Sequence, residues 1–229
     1  MWMDLPHGED LSSGIVLLDD ERIAAVPVKD CGESLVDLRA VGRLDVDDRQ
    51  ADADGAFARV RTGTLERLLA AQRALPSGYR LVVVEGYRPP ALQRQYFEEH
   101  VAFLRDRYPT WSAGEVRSQA AQYISAPMLA PHTTGGAVDV TLRAPDGGLC
   151  WMGTEVNASP QESDCACYTS ADNIGHESRA HRLMLGSALV AAGFVNYPGK
   201  WWHWSFGDRY WAFMADKPFA LYGPVASMS

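Results

Sequence analysis

The chain has 229 residues, of which 47% are hydrophobic and 22% are charged, and it carries a formal net charge of −8 with a pI of about 5.2. This composition suits a single domain with a sizeable core. An acidic chain without a basic run is not expected to bind nucleic acid, and no apolar stretch is long enough to cross a membrane.

The first third of the chain predicts strands and one helix. ERIAAVPV (21–28) and SLVDLRAVG (34–42) predict strands. TLERLLAAQRALPSGY (64–79) has apolar residues at helical spacing and ends at proline and glycine, which predicts a helix. Residues 81–84 form a short β-branched run, which predicts a buried strand.

Two consecutive helices are expected next. Pro90 suits a first helical turn, and the helix should continue to about Arg107. A second helix should begin at Ser112, because S-A-G-E forms a capping box with Glu115. APHTTGGAVDVTL (130–142) then predicts a turn followed by a strand.

The remaining elements favour an α+β fold. Residues 143–172 predict a hairpin and a loop, and Glu177 to Ala192 predicts a helix with Gly193 at its C-terminal end. FVNY (194–197) and KWWHWSF (200–206) predict two strands joined by a Pro-Gly turn. Because strands and helices alternate without a βαβ rhythm, we expect one domain over residues 1–229, with helices packed on a largely antiparallel sheet.

The cysteines and the N-terminus indicate a cytoplasmic protein. The four cysteines lack the spacing of a zinc ribbon, and we expect free thiols, although a metal or redox role for Cys165 and Cys167 stays open. The N-terminal MWMDLPHGEDL has no basic region followed by an apolar one, so we expect no secretory signal.

One motif predicts two side chains that converge. His132 and Asp139 are seven residues apart, which would place them on opposite faces of one unbroken strand. Gly135 and Gly136 break the strand and let both side chains meet. A carboxylate within an apolar strand needs a partner, which could be a metal ion, an arginine or backbone donors.

A third ligand candidate lies near the C-terminus. In WWHWSF, Trp201, His203 and Ser205 are expected to share one strand face, with Trp202 on the opposite face in the core. His203 alone would more often be a structural histidine. Two histidines and one carboxylate with an open fourth position form a catalytic zinc arrangement.

These motifs together resemble a known family. H-x-x-G-x-A-x-D, the later W-W-H and the upstream E-G-Y-R-P are similar to motifs of the D-alanyl-D-alanine dipeptidases of the VanX type. Those proteins are zinc enzymes with the D-Ala-D-Ala peptidase and hedgehog-like fold. The similarity runs from about Gly78 to Pro224.

The resemblance implies one zinc ion per chain, held by His132, Asp139 and His203, and a small amino-acid or dipeptide-like substrate. It also implies that Arg88 stabilises an oxyanion, which suits a permanently charged guanidinium. A salt bridge from Arg88 to Glu85, or a helix cap, is the structural alternative. We further expect that the substrate is contacted by Tyr87, Thr133 and Trp201.

The sequence departs from the family at the catalytic base. Lys200 stands three residues before His203, where the resemblance implies a glutamate that moves protons, and Ala130 replaces an expected serine. Three interpretations stay open for Lys200: an unusual base or acid, a cation that binds a substrate carboxylate or polarises a carbonyl, or a side chain turned to solvent. Other groups that could move protons are Glu155, Glu177, His176, Tyr197 and Asp208.

Three functions follow. The first is hydrolysis of a dipeptide-like amide. The second is a repurposed zinc enzyme in which the metal and Arg88 polarise a carbonyl for cyclisation, acyl transfer or a related biosynthetic step, with Lys200 in the site. The third is a zinc-binding module without catalysis, which the presence of Arg88 disfavours because a binding module has less need of an oxyanion donor.

Overall fold

The computed structural model describes residues 15–125 and 128–226. Over these ranges the chain forms short and long helices that surround one five-stranded sheet and one two-stranded sheet. In chain order the elements are α1 Glu21–Ala24, β1 Leu35–Asp37, α2 Leu38–Val41, β2 Asp45–Val46, β3 Arg59–Arg61, α3 Thr62–Ala74, β4 Arg80–Glu85, α4 Pro90–Arg107, α5 Ala113–Tyr123, β5 Ala137–Arg143, α6 His176–Ala191, β6 Val195–Asn196, β7 His203–Ser205 and α7 Arg209–Met214.

The larger sheet confirms the predicted α+β class. Its strands are ordered β2-β4-β5-β7-β6, and every neighbouring pair except β2 and β4 is antiparallel. Strands β1 and β3 form the separate two-stranded antiparallel sheet. Helices α3 and α6 pack against each other and against strands of the larger sheet.

The two faces of strand β5 have different surroundings. Val138, Val140 and Leu142 are fully buried in the main hydrophobic core. Asp139 and Thr141 alternate with them and are also buried, on the opposite face. The sheet therefore separates an apolar core from a polar, buried surface that carries Asp139.

Several predicted elements are confirmed. The predicted helix at 64–79 corresponds to α3, and the predicted helix from Pro90 to about Arg107 matches α4. Ser112 caps α5 as expected, because its hydroxyl accepts from the backbone N–H of Glu115 while the Glu115 carboxylate accepts from the backbone N–H of Ser112. Strand β4 contains the predicted apolar run at 81–84.

The strand predictions for the first forty residues are wrong in part. Residues 21–24 form helix α1 instead of a strand, because the Asp20 carboxylate accepts from the backbone N–H of Arg22 and caps a helical turn. Within 34–42 only Leu35–Asp37 is a strand, and Asp37 then caps helix α2. In both cases an aspartate that can serve as an N-cap directly precedes the residues that form the helix, and the cap determines the local structure.

No helix of the described residues is long and apolar enough to cross a membrane. Residues 1–14, on which the expectation about a secretory signal rests, lie outside the described part of the chain. All four cysteines have free thiols, and Cys150 and Cys167 are buried.

One buried arginine holds the long loop between β5 and α6. Arg182 of α6 donates to the carbonyl oxygens of Met152 at 2.7 Å, Ala166 at 2.7 Å and Tyr168 at 2.6 Å. Its guanidinium also lies 5.6 Å from the ring centroid of Trp201. Burial lowers the pKa of Arg182 to about 10, because the charge is compensated mainly by neutral carbonyl groups.

We predict that Arg182→Met lowers the free energy of unfolding by about 2–4 kcal/mol, because three carbonyl groups lose a buried donor while the apolar stem is kept. Urea denaturation measures this change. The control is Arg179→Met on the same helix, where the side chain is exposed and the change should stay within about 0.5 kcal/mol. Equal effects of the two substitutions would contradict the anchoring role of Arg182.

Candidate active site

A tight turn positions His132 ahead of strand β5. Residues Pro131–Thr134 form a 3-10 turn that ends at Gly135, whose φ of 72° is a left-handed conformation suited to glycine. Gly136 passes close to another strand, since a Cβ at this position would lie 2.2 Å from the carbonyl oxygen of Phe206. The two glycines therefore break the strand as predicted and turn His132 toward the face that carries Asp139.

Asp139 and His203 are brought together by strand pairing. They face each other directly in the antiparallel register of β5 and β7. Side chains that are directly opposite on the same face of a sheet lie about 5 Å apart at Cβ. The pairing of these two strands therefore fixes a carboxylate beside an imidazole without help from a loop.

The three side chains converge on one point. His132 Nε2 lies 3.1 Å from His203 Nδ1 and 3.3 Å from Asp139 Oδ1, and His203 Nδ1 lies 2.9 Å from Asp139 Oδ1. Ligand atoms about 2.05 Å from a tetrahedral zinc ion are separated by about 3.3 Å. The triangle thus has nearly the size that a zinc ion requires, with the donor set of two imidazoles and one carboxylate.

A backbone contact also prepares His132 as a ligand. His132 Nδ1 lies 2.7 Å from the carbonyl oxygen of Gly86, which only accepts hydrogen bonds, so Nδ1 carries the hydrogen. Nε2 is then the nitrogen with the free lone pair, and it is the atom that points to Asp139 and His203. Metal-binding histidines are commonly oriented by such an outer hydrogen bond.

Burial and mutual contact shift the pKa values of the three groups. Burial alone would raise the pKa of Asp139, but the two imidazoles outweigh it and hold that pKa well below its ordinary value. Burial alone would lower the pKa of His132, and the Asp139 carboxylate outweighs it and raises that pKa. Burial lowers the pKa of His203 to about 4. The carboxylate is therefore ionised, and the site favours a cation between the three groups.

The three groups lie at the wall of a cavity of about 390 Å³. The cavity is bounded by residues 15–18, Gln50, the first half of α4, residues 124–125, the turn before β5, the loop after β5 and the turn before β7. Among the described residues, Asp139 is the only carboxylate in its lining. The predicted residues Arg88 and Lys200 also line it, so the structure brings five of the predicted site residues together.

Arg88 is held at the cavity by a buried glutamate. Its Nε and Nη2 both donate to the Glu85 carboxylate, and its Nη1 donates to Gln93 Oε1 at 2.7 Å. Gln93 in turn donates from Nε2 to the carbonyl oxygen of Ser125 at 2.8 Å. Arg88 therefore forms the salt bridge that was its expected structural alternative. Each of its terminal nitrogens, Nη1 and Nη2, keeps one N–H that these contacts do not use.

The backbone couples Arg88 to His132 as well. Arg88 N donates to the carbonyl oxygen of His132 at 3.0 Å. Burial alone would lower the pKa of Arg88, but the Glu85 carboxylate outweighs it and raises that pKa, so the guanidinium stays charged. Glu85 and Gln93 therefore position Arg88: Glu85 is the glutamate of the E-G-Y-R-P motif and was the expected salt-bridge partner, whereas Gln93 was not identified from the sequence.

Lys200 lines the cavity and is half-buried. Burial lowers the pKa of its ammonium group from the ordinary value of 10.5, and the Asp139 carboxylate partly offsets this shift. The place of Lys200 in the lining favours the two interpretations that keep its side chain in the site. Ala130 also lines the cavity, so the position where the resemblance implies a serine presents a methyl group.

The three residues expected to contact substrate lie outside the lining of this cavity. Tyr87 donates from its hydroxyl to the carbonyl oxygen of Val225, and Thr133 donates from its hydroxyl to the carbonyl oxygen of Ala130. Trp201 donates to the Thr154 hydroxyl. All three side chains are buried.

Trp202, not Trp201, lines the cavity. Strand β7 begins only at His203, and residues 197–202 form a turn, so the face alternation expected for WWHWSF does not extend back to Trp201.

Most of the candidate proton-transfer groups lie away from the cavity. Of the five named from the sequence, Tyr197 alone lines the cavity, while Glu155, Glu177, His176 and Asp208 do not.

Fold and site together define an α+β protein with a candidate metal centre of two histidines and one carboxylate. A family model described as D-ala-D-ala dipeptidase matches residues 36–221. The chain therefore belongs to the D-Ala-D-Ala dipeptidase family, as the resemblance implied.

Two relatives identified by sequence agree with this assignment. A D-alanyl-D-alanine dipeptidase from Synechocystis sp. is 30% identical over 221 residues, covering 84% of this chain and 90% of the relative. A D-alanyl-D-alanine dipeptidase from Enterococcus faecium is 27% identical over 148 residues, covering 62% of this chain and 69% of the relative. Among solved structures, the LdcB LD-carboxypeptidase aligns at 17% identity with a TM-score of 0.49, over 84% of this chain and 77% of that one.

We predict that the purified protein binds about one zinc ion per chain and that His132→Ala and His203→Ala each abolish this binding, because two ligands cannot hold the ion tightly. Metal analysis after dialysis measures the stoichiometry. His176→Ala removes an exposed histidine and should leave the zinc content unchanged. Full zinc content in the His132 or His203 variant would contradict the ligand assignment.

Proposed function

We propose that this protein is a zinc-dependent enzyme that acts on a small amino-acid- or dipeptide-derived substrate, and that its chemistry has been repurposed from hydrolysis. The observation that carries the proposal is the composition of the cavity. The His132–Asp139–His203 triangle shares it with Arg88 and Lys200, and Asp139 is the only carboxylate in the described lining.

The donor set of the triangle suits zinc, and His132, Asp139 and His203 would hold the ion. When bound there, zinc would supply Lewis-acid polarisation of a carbonyl oxygen. Arg88 would assist, because Glu85 and Gln93 hold its guanidinium in place and two of its N–H groups can still donate to an oxygen that gains negative charge.

Hydrolysis by this family requires a base that accepts a proton from water, and the resemblance implies a glutamate where Lys200 stands. Asp139 cannot replace that base, since both histidines contact its carboxylate. In a cyclisation or acyl transfer, an amine or hydroxyl of the substrate attacks the carbonyl carbon instead of water. The new bond replaces the bond to the leaving group, which receives the proton of the nucleophile, so no water is consumed.

Hydrolysis of a dipeptide-like amide is the second candidate, and the family assignment favours it. It requires another proton acceptor, and Tyr197 is the one of the proposed groups that lines the cavity. Burial raises the pKa of Tyr197, which keeps its phenol protonated at neutral pH and makes it a poor base. A binding module without catalysis is a weaker candidate, because it would have less need of an arginine held beside the candidate metal site.

We predict that the wild-type protein hydrolyses D-Ala-D-Ala and a panel of other dipeptides at least about 100-fold more slowly than Lys200→Glu, because a well-placed general base contributes a factor of about 10² to 10⁴. Release of free amino acid from zinc-loaded protein measures the rates. Lys200→Gln is the control, since it removes the cation without supplying a base. Rapid hydrolysis by the wild type would contradict the repurposed function and favour the second candidate.

A further inference from the structure

The cavity has more room than a ligand built from two alanines requires. Its volume of about 390 Å³ lies within the range of about 300–1,000 Å³ that is typical of sites for drug-sized ligands. A dialanine bound with its carbonyl at the His132–Asp139–His203 triangle would leave part of this space to water. The surfaces that border the remaining space therefore indicate which further group the ligand carries.

One wall of the cavity is apolar and is formed by the first residues that the structure describes. Ile15, Leu17 and Leu18 line the cavity. Leu18 is buried in a small hydrophobic cluster with Tyr197 and Tyr210, and Ile15 packs against the same cluster. Leu17 lies in the lining but not in this cluster, so its side chain contributes to the wall and not to the packing beneath it.

The segment that carries this wall is anchored to the rest of the fold. The backbone N–H of Asp20 donates to the carbonyl oxygen of Leu17 at 3.1 Å, and the Asp20 carboxylate caps helix α1. Ile23 of that helix belongs to the same cluster as Leu18. The apolar wall is therefore held in place before a ligand binds, which lowers the cost of binding.

Tyr197 connects the wall to the candidate metal site. The centroid of its ring lies 6.2 Å from that of His203 and 5.7 Å from that of Tyr210, and both pairs of rings are close to perpendicular. Gly199 also lines the cavity and lies against this ring, since a Cβ at Gly199 would be 2.8 Å from Tyr197 Cε1. A ligand held at the triangle would therefore have the apolar wall one aromatic ring away from His203.

An apolar group of the ligand is the natural occupant of the space along this wall. Removal of apolar surface from water is favourable, and the gain grows with the area that is covered. The methyl group of an alanine would cover little of a wall that extends from Leu17 to Tyr197. A longer aliphatic or an aromatic group would cover more of it and would displace the water in contact with it.

We propose that residues 15–18 and Tyr197 form a subsite for a large apolar side chain, and that the substrate is an amino-acid or dipeptide derivative with an aliphatic or aromatic side chain next to the reacting carbonyl. This assignment rests on the proposed function, because it assumes that the carbonyl binds at the triangle. It adds the size and the chemical class of the substrate side chain.

Three hydroxamates test the subsite, because they share a head group that chelates zinc and differ only in the chain attached to it. Acetohydroxamate has a methyl group, hexanohydroxamate has a pentyl chain, and 5-hydroxypentanohydroxamate has the same length with a terminal hydroxyl. Calorimetry measures their affinities for the zinc-loaded protein. Since each fully buried methylene contributes a factor of about 4, we expect hexanohydroxamate to bind at least about 10-fold more tightly than acetohydroxamate. The terminal hydroxyl should remove part of this gain.

The matched variants are Leu17→Ala and Val16→Ala, which shorten neighbouring side chains of one segment. Leu17 lines the cavity, whereas Val16 packs against the cluster and does not line it. Leu17→Ala should weaken hexanohydroxamate by about 3-fold or more and leave acetohydroxamate and the zinc content unchanged, while Val16→Ala should keep the preference. Equal affinities of the wild type for the three hydroxamates, or a preference that persists undiminished in Leu17→Ala, would overturn the proposal.

The outcome of this test is separate from that of the reaction. Hydrolysis of dipeptides by the wild type would refute the repurposed chemistry without altering the order of the three affinities. Slow hydrolysis by the wild type together with equal affinities would refute the apolar subsite alone.

Discussion

The register between strands β5 and β7 is the constraint on which the candidate site depends. Because Asp139 and His203 are direct partners in this antiparallel pair, a carboxylate and an imidazole are held side by side by the backbone of the sheet. The break at Gly135 and Gly136 then adds His132 from outside the strand. A shift of one residue in this register would move one of the two side chains into the hydrophobic core.

A second set of contacts links this sheet to the arginine. The segment after β4 meets the turn before β5 twice, since Gly86 O faces His132 Nδ1 and Arg88 N donates to His132 O. One segment therefore orients a candidate metal ligand and places a guanidinium beside it. Glu85 completes the arrangement, because its carboxylate pairs with the Arg88 guanidinium and holds it at the cavity.

Local sequence patterns were sufficient for the long helices, the central strands and the convergence of His132, Asp139 and His203. Each depends on signals within about twenty residues, such as the Ser112 capping box or the glycine break, or on ordered motifs shared with a family. The strand predictions were wrong where a helix cap or a tertiary contact determined the local structure. Asp20 starts a helix in an apolar segment, and the turn before His203 exchanges the expected roles of Trp201 and Trp202. The place of Lys200 in the cavity lining and the linkage of Arg88 to Gln93 depend on packing between distant segments, which a single sequence does not encode in a readable pattern.

X-ray absorption at the zinc edge of the metal-loaded protein tests the central claim most directly. The account predicts a first shell of nitrogen and oxygen atoms at about 2.0–2.2 Å, with the imidazole scattering of two histidines and no sulfur at about 2.3 Å. It also predicts that His203→Ala removes this spectrum. A sulfur shell would place the metal at cysteines such as Cys165 and Cys167, and that result would contradict the site formed by strands β5 and β7.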